Sequence, residues 1–141
     1  MRAVVSRVTE ARVVVDEETV GELDGPGLLV LLGVHRDDGP DAAATMARKL
    51  HELRLLRDES SCAETGAGLL VVSQFTLYGD TRKGRRPSWS AAAAPEDARA
   101  AVDAVVAALR ERGASVATGK FGADMRVVSV NDGPFTVIVE T

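Results

Sequence analysis

Two short polar motifs, far apart in the sequence, contain the residues best suited to chemistry. They are residues 73–76, with the sequence SQFT, and residues 131–136, with the sequence NDGPFT. Each closes or opens an apolar run typical of a strand, which places its polar groups at a strand end. Neither contains a histidine, a cysteine or a pair of carboxylates, the groups that most hydrolases use. If the two motifs form one site, that site acts largely through backbone groups and shape.

The same residues also have ordinary structural interpretations. Residues 131–134 are a turn signal between two strands, and spacing alone favours that interpretation. Ser73 and Gln74 are compatible with a buried hydrogen-bonding pair. We interpret His35 as an ordinary strand-end histidine and His51 as an ordinary surface histidine of a helix. A Ser-His-Asp or Cys-His triad would require one of them to meet a nucleophile by chance in the fold.

A basic loop, residues 81–87 with the sequence TRKGRRP, follows the first motif closely. It contains four cations and no acid within its own length. A solvated loop and a phosphate-contacting loop that steers RNA to one face are both open interpretations. The four cations are Arg82, Lys83, Arg85 and Arg86.

Length and composition are those of one ordinary globular domain over residues 1–141. The net charge of −4 argues against a polyelectrolyte partner for the whole surface, although a local basic patch is compatible with it. Cys62 is the only cysteine, so no intrachain disulfide can form, and two histidines with one cysteine predict no metal site. The start lacks the apolar core of a signal peptide, and the longest apolar run, residues 27–34, is too short to span a membrane. We expect a cytoplasmic protein.

Apolar periodicity predicts the elements that carry these motifs. Two helices are predicted, one opened by Pro40 with an apolar stripe to Leu53, and one over residues 95–112 that stops at Gly113. A polar loop is expected at residues 60–68. The predicted strands cover residues 2–16, 20–23, 28–34, from about 54, 69–77, 115–118, 125–130 and 135–140. The strands outnumber what two helices can cover, so the fold class is α/β (or α+β), with a curled, barrel-like sheet.

The chain resembles the D-aminoacyl-tRNA deacylases of the D-tyrosyl-tRNA deacylase family. The resemblance lies in the stretches MRAVVSRV, GLLVLLGV, LLVVSQFTLYGDTRKGRRPSW, GKFGADMRVVSVNDGPFT and VIVET, in order from the first residue to the last. It implies a homodimer with active sites at the dimer interface. It also implies hydrolysis of the ester of D-aminoacyl-tRNA and of mischarged glycyl-tRNA. The implied partner is tRNA, with no DNA or membrane partner and no cofactor.

The resemblance also implies roles for single residues. Gly133 and Pro134 match a Gly-cisPro motif that one subunit inserts into the pocket of the other to reject L-amino acids, and Arg7 matches the arginine that holds its orientation. Thr136 matches a threonine that was proposed as a nucleophile and is now considered dispensable. The pocket for the terminal adenosine and the scissile ester is implied at Ser73, Gln74, Phe75 and Thr76. The chain departs from the family pattern at Ser6, usually glutamine, at Phe135, commonly valine, and in a shorter segment between residues 57 and 69.

The expected chemistry needs little from side chains. An ester on a ribose 3′-oxygen is activated by the neighbouring 2′-hydroxyl, and backbone N–H groups at residues 74–76 can stabilise its oxyanion. A non-catalytic RNA-binding module that uses residues 82–86 is the first alternative. A small-molecule esterase with Thr136 or Ser73 as nucleophile is the second, and the lack of a histidine nearby in sequence disfavours it.

Overall fold

The structure, a computed structural model, describes residues 1–141 and contains six strands and three α-helices. Two 3₁₀ turns, Arg57–Glu59 and Phe75–Tyr78, lie between them. None of the helices combines the length and the apolar character that crossing a membrane requires. In chain order the elements are β1 (Arg2–Val15), β2 (Glu18–Glu22), β3 (Gly27–Gly33), α1 (Ala42–Glu52), α2 (Cys62–Thr65), β4 (Gly68–Ser73), α3 (Pro95–Glu111), β5 (Val116–Thr118) and β6 (Arg126–Glu140).

All six strands belong to one mixed sheet that is organised around β1. The first half of β1 pairs antiparallel with β3 and its second half with β2, while β6 pairs antiparallel along its other edge. β4 and β5 extend the sheet in parallel order after β3. Gly21 of β2 lies so close to the backbone of Thr118 in β5 that no Cβ would fit there. The sheet therefore curls into a nearly closed barrel, which confirms the predicted fold class.

Alternation along the strands divides the apolar side chains between two cores. One set fills the barrel interior and includes Val8, Val13 and Leu70. The other set lies on the outer face, where α1 and α3 cover it with Leu50 and Leu109 among their buried residues. α3 begins with Pro95 at its first turn and ends before Gly113, whose φ is +85°. These bounds agree with the prediction from the sequence to within one residue.

The segment between α1 and β4 differs from the prediction. The strand expected from residue 54 is absent, and the polar loop expected at residues 60–68 contains the helix α2. A capping box forms this helix, because the Ser61 hydroxyl accepts from the Glu64 N–H and the Glu64 carboxylate accepts from the Ser61 N–H. Pro40 lies before α1, which begins at Ala42. His51, expected at the surface, is buried against the core.

Two predicted strand bounds change where the motifs lie. β4 ends at Ser73, and a 3₁₀ turn replaces the predicted continuation to residue 77. Residues 125–130 and 135–140 are not two strands joined by a turn. From Arg126 onward they belong to the single strand β6, which pairs with β1 on both sides of residues 132–135. The second motif is therefore a bulge inside one strand.

Candidate active site

A pocket of about 390 Å³ opens where β4 ends. Its walls come from the ends of β3 and β4, from the start of α3 and from the segments before α3 and after β5. Most of the lining is apolar, and the polar side chains are those of Ser73, Gln74 and, through its indole N–H, Trp89. The lining residues are Leu32, Val34, Ser73, Gln74, Phe75, Trp89, Ala92, Ala93, Pro95, Ala98, Val102, Phe121 and Gly122. A concave apolar pocket with few polar groups is the usual form of a small-molecule site.

The backbone of the first motif forms a turn beside this pocket. The Gln74 N–H donates to the Leu32 carbonyl at 2.8 Å, so the expectation of a free donor at Gln74 is wrong. Phe75 and Thr76 then open the 3₁₀ turn, and the first N–H groups of a helical turn have no partner within it. The Gln74 side-chain amide donates to the Thr76 hydroxyl. Ser73, Gln74 and Phe75 line the pocket, whereas Thr76 does not.

Two aromatic rings border the pocket and face solvent. Phe75 is 55% exposed and Trp89 is 44% exposed. Their ring centroids are 5.4 Å apart, and the ring planes meet at 66°. Sequence reasoning assigned Phe75 to this site and missed Trp89, the only tryptophan of the chain, which lies two residues after the basic loop. The sequence did contain a signal for Trp89, because a single aromatic residue next to a cluster of cations is typical of a nucleic-acid contact.

The second motif is a bulge closed by Asn131. β1 and β6 are in register at Ser6 opposite Thr136 and at Val8 opposite Asn131, so residues 132–135 stand opposite Arg7 alone. The Asn131 carboxamide accepts from the Phe135 N–H at 2.8 Å and donates to the Thr136 hydroxyl at 2.8 Å. The Gly133–Pro134 peptide bond within the bulge is cis.

Arg7 lies directly against this bulge. Its side chain is only 12% exposed, and its Nε donates to the Asp132 carbonyl at 3.0 Å. The guanidinium carbon lies 4.7 Å from the centroid of the Phe135 ring. Gly133 has φ of +134°, which favours glycine at this position, and a Cβ there would lie 2.8 Å from Nη2 of Arg7 and displace the guanidinium. The structure brings Arg7, Gly133 and Pro134 together, and their role in stereochemistry stays a prediction.

A second arginine, which sequence reasoning missed, binds the same bulge. Arg57 donates to both carboxylate oxygens of Asp132, at 2.7 Å and 3.1 Å, while Arg7 lies 3.6 Å from that carboxylate. The hydrogen bond from Arg57, with the positive charges of Arg57 and Arg7, holds the pKa of Asp132 below its usual range. The pair joins residues 75 apart in the chain, and no sequence pattern predicts it.

The Thr136 hydroxyl has only neutral partners. It lies 2.9 Å from the Ser6 hydroxyl and accepts from Asn131. No imidazole or carboxylate hydrogen-bonds to it, so the structure contains no base that would activate it as a nucleophile.

The two motifs lie far apart within one chain. Ser73 is in register with Leu32, Leu32 with Ala3, and Ala3 with Val139. The bulge stands opposite Arg7, four residues further along β1, or about 13 Å, and three strands across, or about 14 Å. No residue of the bulge lines the pocket. One chain therefore does not bring the two motifs into one site.

The basic loop is partly neutralised. Its base is closed by backbone hydrogen bonds between Asp80 and Ser88. The Asp80 carboxylate accepts from the backbone N–H and the guanidinium of Arg82, and these hydrogen bonds lower the pKa of Asp80 to about 2. The other cations, Lys83, Arg85 and Arg86, are exposed and form no ion pair.

The remaining groups that could do chemistry are used structurally. His35 accepts from the Asp37 N–H and packs its ring edge-on against Tyr78, and His51 is buried in α1. Cys62, expected in a loop, is buried in α2, and burial raises the pKa of its thiol to about 11. The structure contains no group of three or more His, Cys, Asp or Glu side chains that could hold a metal ion.

Comparison with known proteins identifies relatives over the whole chain. The sequence profile described as D-Tyr-tRNA(Tyr) deacylase matches residues 4–140. The chain is 64% identical to a D-aminoacyl-tRNA deacylase of Streptomyces coelicolor and 61% identical to one of Kineococcus radiotolerans, over 99% of this chain and of each relative. A solved structure described as a c-Myc DNA unwinding element binding protein is 37% identical, with a TM-score of 0.92 over 100% of this chain and 99% of that one. A probable eukaryotic D-amino acid tRNA deacylase, 19% identical, has the same fold, with a TM-score of 0.87 over 99% of this chain and 98% of that one.

Proposed function

The chain belongs to the D-Tyr-tRNA(Tyr) deacylase family, and from that premise we infer that it is a D-aminoacyl-tRNA deacylase. Such a hydrolase cleaves the ester between a D-amino acid and the 3′ end of tRNA. The observation that carries this inference is the 64% identity to a D-aminoacyl-tRNA deacylase over 99% of both chains. The cytoplasm, where aminoacyl-tRNA is used in translation, is its proposed location.

We place the 3′-terminal adenosine in the pocket at the end of β4. Its volume of about 390 Å³ and its apolar walls suit a nucleoside, and the exposed Phe75 ring offers a surface for a base to stack on. The ester carbonyl would then lie beside the N–H groups of Phe75 and Thr76.

The reaction needs a positioned water and a stabilised oxyanion. Water adds to the carbonyl carbon, the bond from that carbon to the ribose 3′-oxygen breaks, and the 3′-oxygen leaves with a proton. Each backbone donor aimed at the oxyanion is worth about 3 kcal/mol in the transition state. The neutral partners of the Thr136 hydroxyl favour a mechanism without a side-chain nucleophile.

We propose that a second copy of the chain completes the site. One chain holds the pocket and the bulge about 13 Å apart along the strands and three strands apart. β6 is an edge strand with exposed apolar side chains, among them Val130 and Ile138, the latter 66% exposed. Such an edge is a liability in a monomer and suits a homodimer. The bulge of one subunit would enter the pocket of the other.

Selection against L-amino acids is the proposed task of the bulge. A D- and an L-residue differ only in the direction of Cβ, so a rigid backbone placed against the α-carbon can exclude one of them by a clash. Arg7 and Asn131 bond to the backbone of the bulge, and Arg57 binds its Asp132 carboxylate. Because this filter rejects a side chain rather than recognising one, achiral glycine on tRNA would pass and be hydrolysed as well.

The basic loop is the proposed contact to the tRNA backbone. Lys83, Arg85 and Arg86 are free to meet phosphates, whereas Arg82 is occupied by Asp80. A module that binds RNA without cleaving it is the competing function. The absence of a DNA partner also stays a prediction, since one relative of known structure is described as binding a DNA unwinding element.

The test is deacylation of matched D- and L-tyrosyl-tRNA by the purified protein. We expect rapid release of D-tyrosine, slow release of L-tyrosine and release of glycine from glycyl-tRNA. Binding of tRNA without release of any amino acid would favour the RNA-binding module and contradict the proposed activity.

A further inference from the structure

Trp89 is an exposed aromatic residue that is held in a fixed place. Its indole lies against Gly79, where a Cβ would come within 2.6 Å of Cζ3, so only glycine admits the ring at this distance. The Gly79 N–H is bonded to the Thr76 carbonyl at 2.9 Å, which ties the support of the ring to the turn of the first motif. Even so, 44% of the Trp89 surface remains exposed.

Trp89 lies between the basic loop and the pocket. Ser88, its neighbour in sequence, pairs with Asp80 at the base of the loop. On its other side the indole meets Phe75, at 5.4 Å between ring centroids, and it lines the pocket mouth. A single strand that follows the loop and ends in the pocket must therefore pass Trp89.

The angle between the two rings decides how many bases they can receive. Aromatic side chains bind bases by parallel stacking. The planes of Phe75 and Trp89 meet at 66°, so one flat base cannot stack on both. The two rings instead suit two successive bases whose planes turn relative to each other, as they can in an unpaired strand.

We propose that Trp89 stacks on the base of the nucleotide that precedes the terminal adenosine of tRNA. The proposal rests on the proposed function and adds to it a second nucleotide subsite, next to the pocket for the terminal adenosine. The ligand is the unpaired 3′ end of the RNA, whose phosphates face the unpaired cations Lys83, Arg85 and Arg86. Stacking of this kind tolerates any base, which suits an enzyme that acts on many tRNAs.

Two substrates separate this role from a structural one. D-tyrosyl-tRNA has the preceding nucleotide, whereas the D-tyrosyl 3′-ester of adenosine lacks it. Trp89→Ala should lower kcat/KM for D-tyrosyl-tRNA about tenfold, mainly through KM. Because Trp89 also borders the pocket for the terminal adenosine, kcat/KM for the adenosine ester should fall as well, but by a clearly smaller factor than for tRNA. Trp89→Phe should retain most of the activity on tRNA. Val20→Ala, which removes another exposed apolar side chain, is the matched control.

Two results would overturn the proposal. Equal loss on both substrates would show that Trp89 supports the pocket itself. No loss on either would show that its exposure has no part in binding. If the wild-type protein cleaves neither substrate, the proposed function fails instead, and a binding experiment still tests Trp89.

That experiment uses the fluorescence of the only tryptophan. Addition of the trinucleotide cytidine-cytidine-adenosine should quench Trp89 emission strongly, because a base stacks on the indole, whereas saturating adenosine, which fills only the neighbouring pocket, should quench it much less. Equal quenching by adenosine would show that Trp89 stacks on the terminal base and not on the base that precedes it. No quenching by a trinucleotide that competes for the pocket would leave Trp89 without a base. Either outcome contradicts the proposal.

Discussion

At the end of β4 the chain forms a concave, mostly apolar pocket, whereas in β6 it forms a bulge that takes no part in lining that pocket. The pocket region keeps its groups free, with exposed Phe75 and Trp89 rings and N–H groups at the start of a turn. In the bulge the Asp132 carbonyl, the Asp132 carboxylate and the Phe135 N–H are held by hydrogen bonds to Arg7, Arg57 and Asn131, respectively.

This difference indicates a division of labour between the two regions. Free groups around a cavity suit a site that receives a ligand, while a protrusion fixed by side chains suits a part that enters such a site. Each region lacks what the other supplies. The pocket would supply binding and oxyanion stabilisation, and the bulge would supply selection.

The largest expected effect follows from releasing the bulge. Arg7→Ala removes a charged donor to the Asp132 carbonyl and the cation over Phe135. We expect the ratio of D- to L-tyrosyl-tRNA deacylation to fall about tenfold, since a hydrogen bond from a charged group contributes roughly 1.5–3 kcal/mol. Single-turnover rates on both substrates give the ratio.

The matched control for Arg7 is Arg12→Ala, which removes an exposed arginine of the same strand that forms no ion pair. The Arg12→Ala ratio should equal that of the wild type. If Arg7→Ala lowers both rates in proportion and leaves the ratio intact, selection lies outside the bulge.

A smaller effect, confined to binding, is expected at the basic loop. Replacing Lys83, Arg85 and Arg86 by alanine should weaken tRNA binding several-fold and reduce the slope of log K against log salt concentration by roughly two. Arg82→Ala should matter less, because Asp80 already neutralises that side chain. The D-to-L ratio should not change. Filter binding over a series of salt concentrations measures this slope. An unchanged slope would show that the loop is exposed to solvent but does not contact tRNA.

Arg57→Ala should have a weaker effect than Arg7→Ala, in the same direction. The Arg57–Asp132 pair is exposed on the arginine side, so we expect the D-to-L ratio to fall only two- to fivefold, an order of magnitude typical of surface ion pairs. The lowered pKa of Asp132 adds a pH test. Because the pKa of Asp132 is lower in the folded protein than in the unfolded chain, the ion pair is fully formed above about pH 4, the ordinary pKa of an aspartate. The pair is lost only as the pH falls through the lower pKa of the folded state. The ratio should therefore be constant from about pH 5 to pH 8, and a midpoint inside that range would implicate another group.

The smallest effect is expected for Thr136→Ala. Its hydroxyl has Ser6 and Asn131 as partners and no base, so D-tyrosyl-tRNA deacylation should stay within about threefold of the wild-type rate. Thr136→Ser should be indistinguishable from the wild type. A loss of several orders of magnitude in a folded Thr136→Ala protein would restore the nucleophile hypothesis.

Local patterns predicted most of the fold. The sequence predicts β1 by its valines, β3 by its continuous apolar run, and α3 by its amphipathic period with Pro95 and Gly113 at the ends. Each of these signals depends only on residues that are neighbours in the sequence. The helix α2 was missed because its signal is a single capping box in a polar stretch. The bulge was taken for a turn because Gly133-Pro134 is a breaker in any context, and pairing with β1 on both sides is information that only the fold contains.

The candidate site divides in the same way. Its motif residues stood out by their polar types at strand ends, and their roles came from the resemblance to a family. Of the first motif, Ser73, Gln74 and Phe75 line the pocket and Thr76 does not. Arg57 could not be found, because its contact to Asp132 depends on the path of the segment after α1. The pairing of Arg82 with Asp80 was overlooked, since the acid stands just outside the basic run.

The central claim is that the bulge of one subunit selects substrates in the pocket of another, and mixed dimers test it most directly. Ala98→Phe fills the pocket from α3 and should be inactive, with Ala104→Phe on the exposed side of α3 as its control. Co-expressing an excess of Ala98→Phe chains with Arg7→Ala chains places intact bulges opposite intact pockets. We predict that hydrolysis of L-tyrosyl-tRNA falls towards the wild-type level while D-tyrosyl-tRNA is still cleaved. Chains with both substitutions, added in the same excess, should not restore selection. Unchanged L-tyrosyl-tRNA hydrolysis in dimers shown to be mixed would contradict the account.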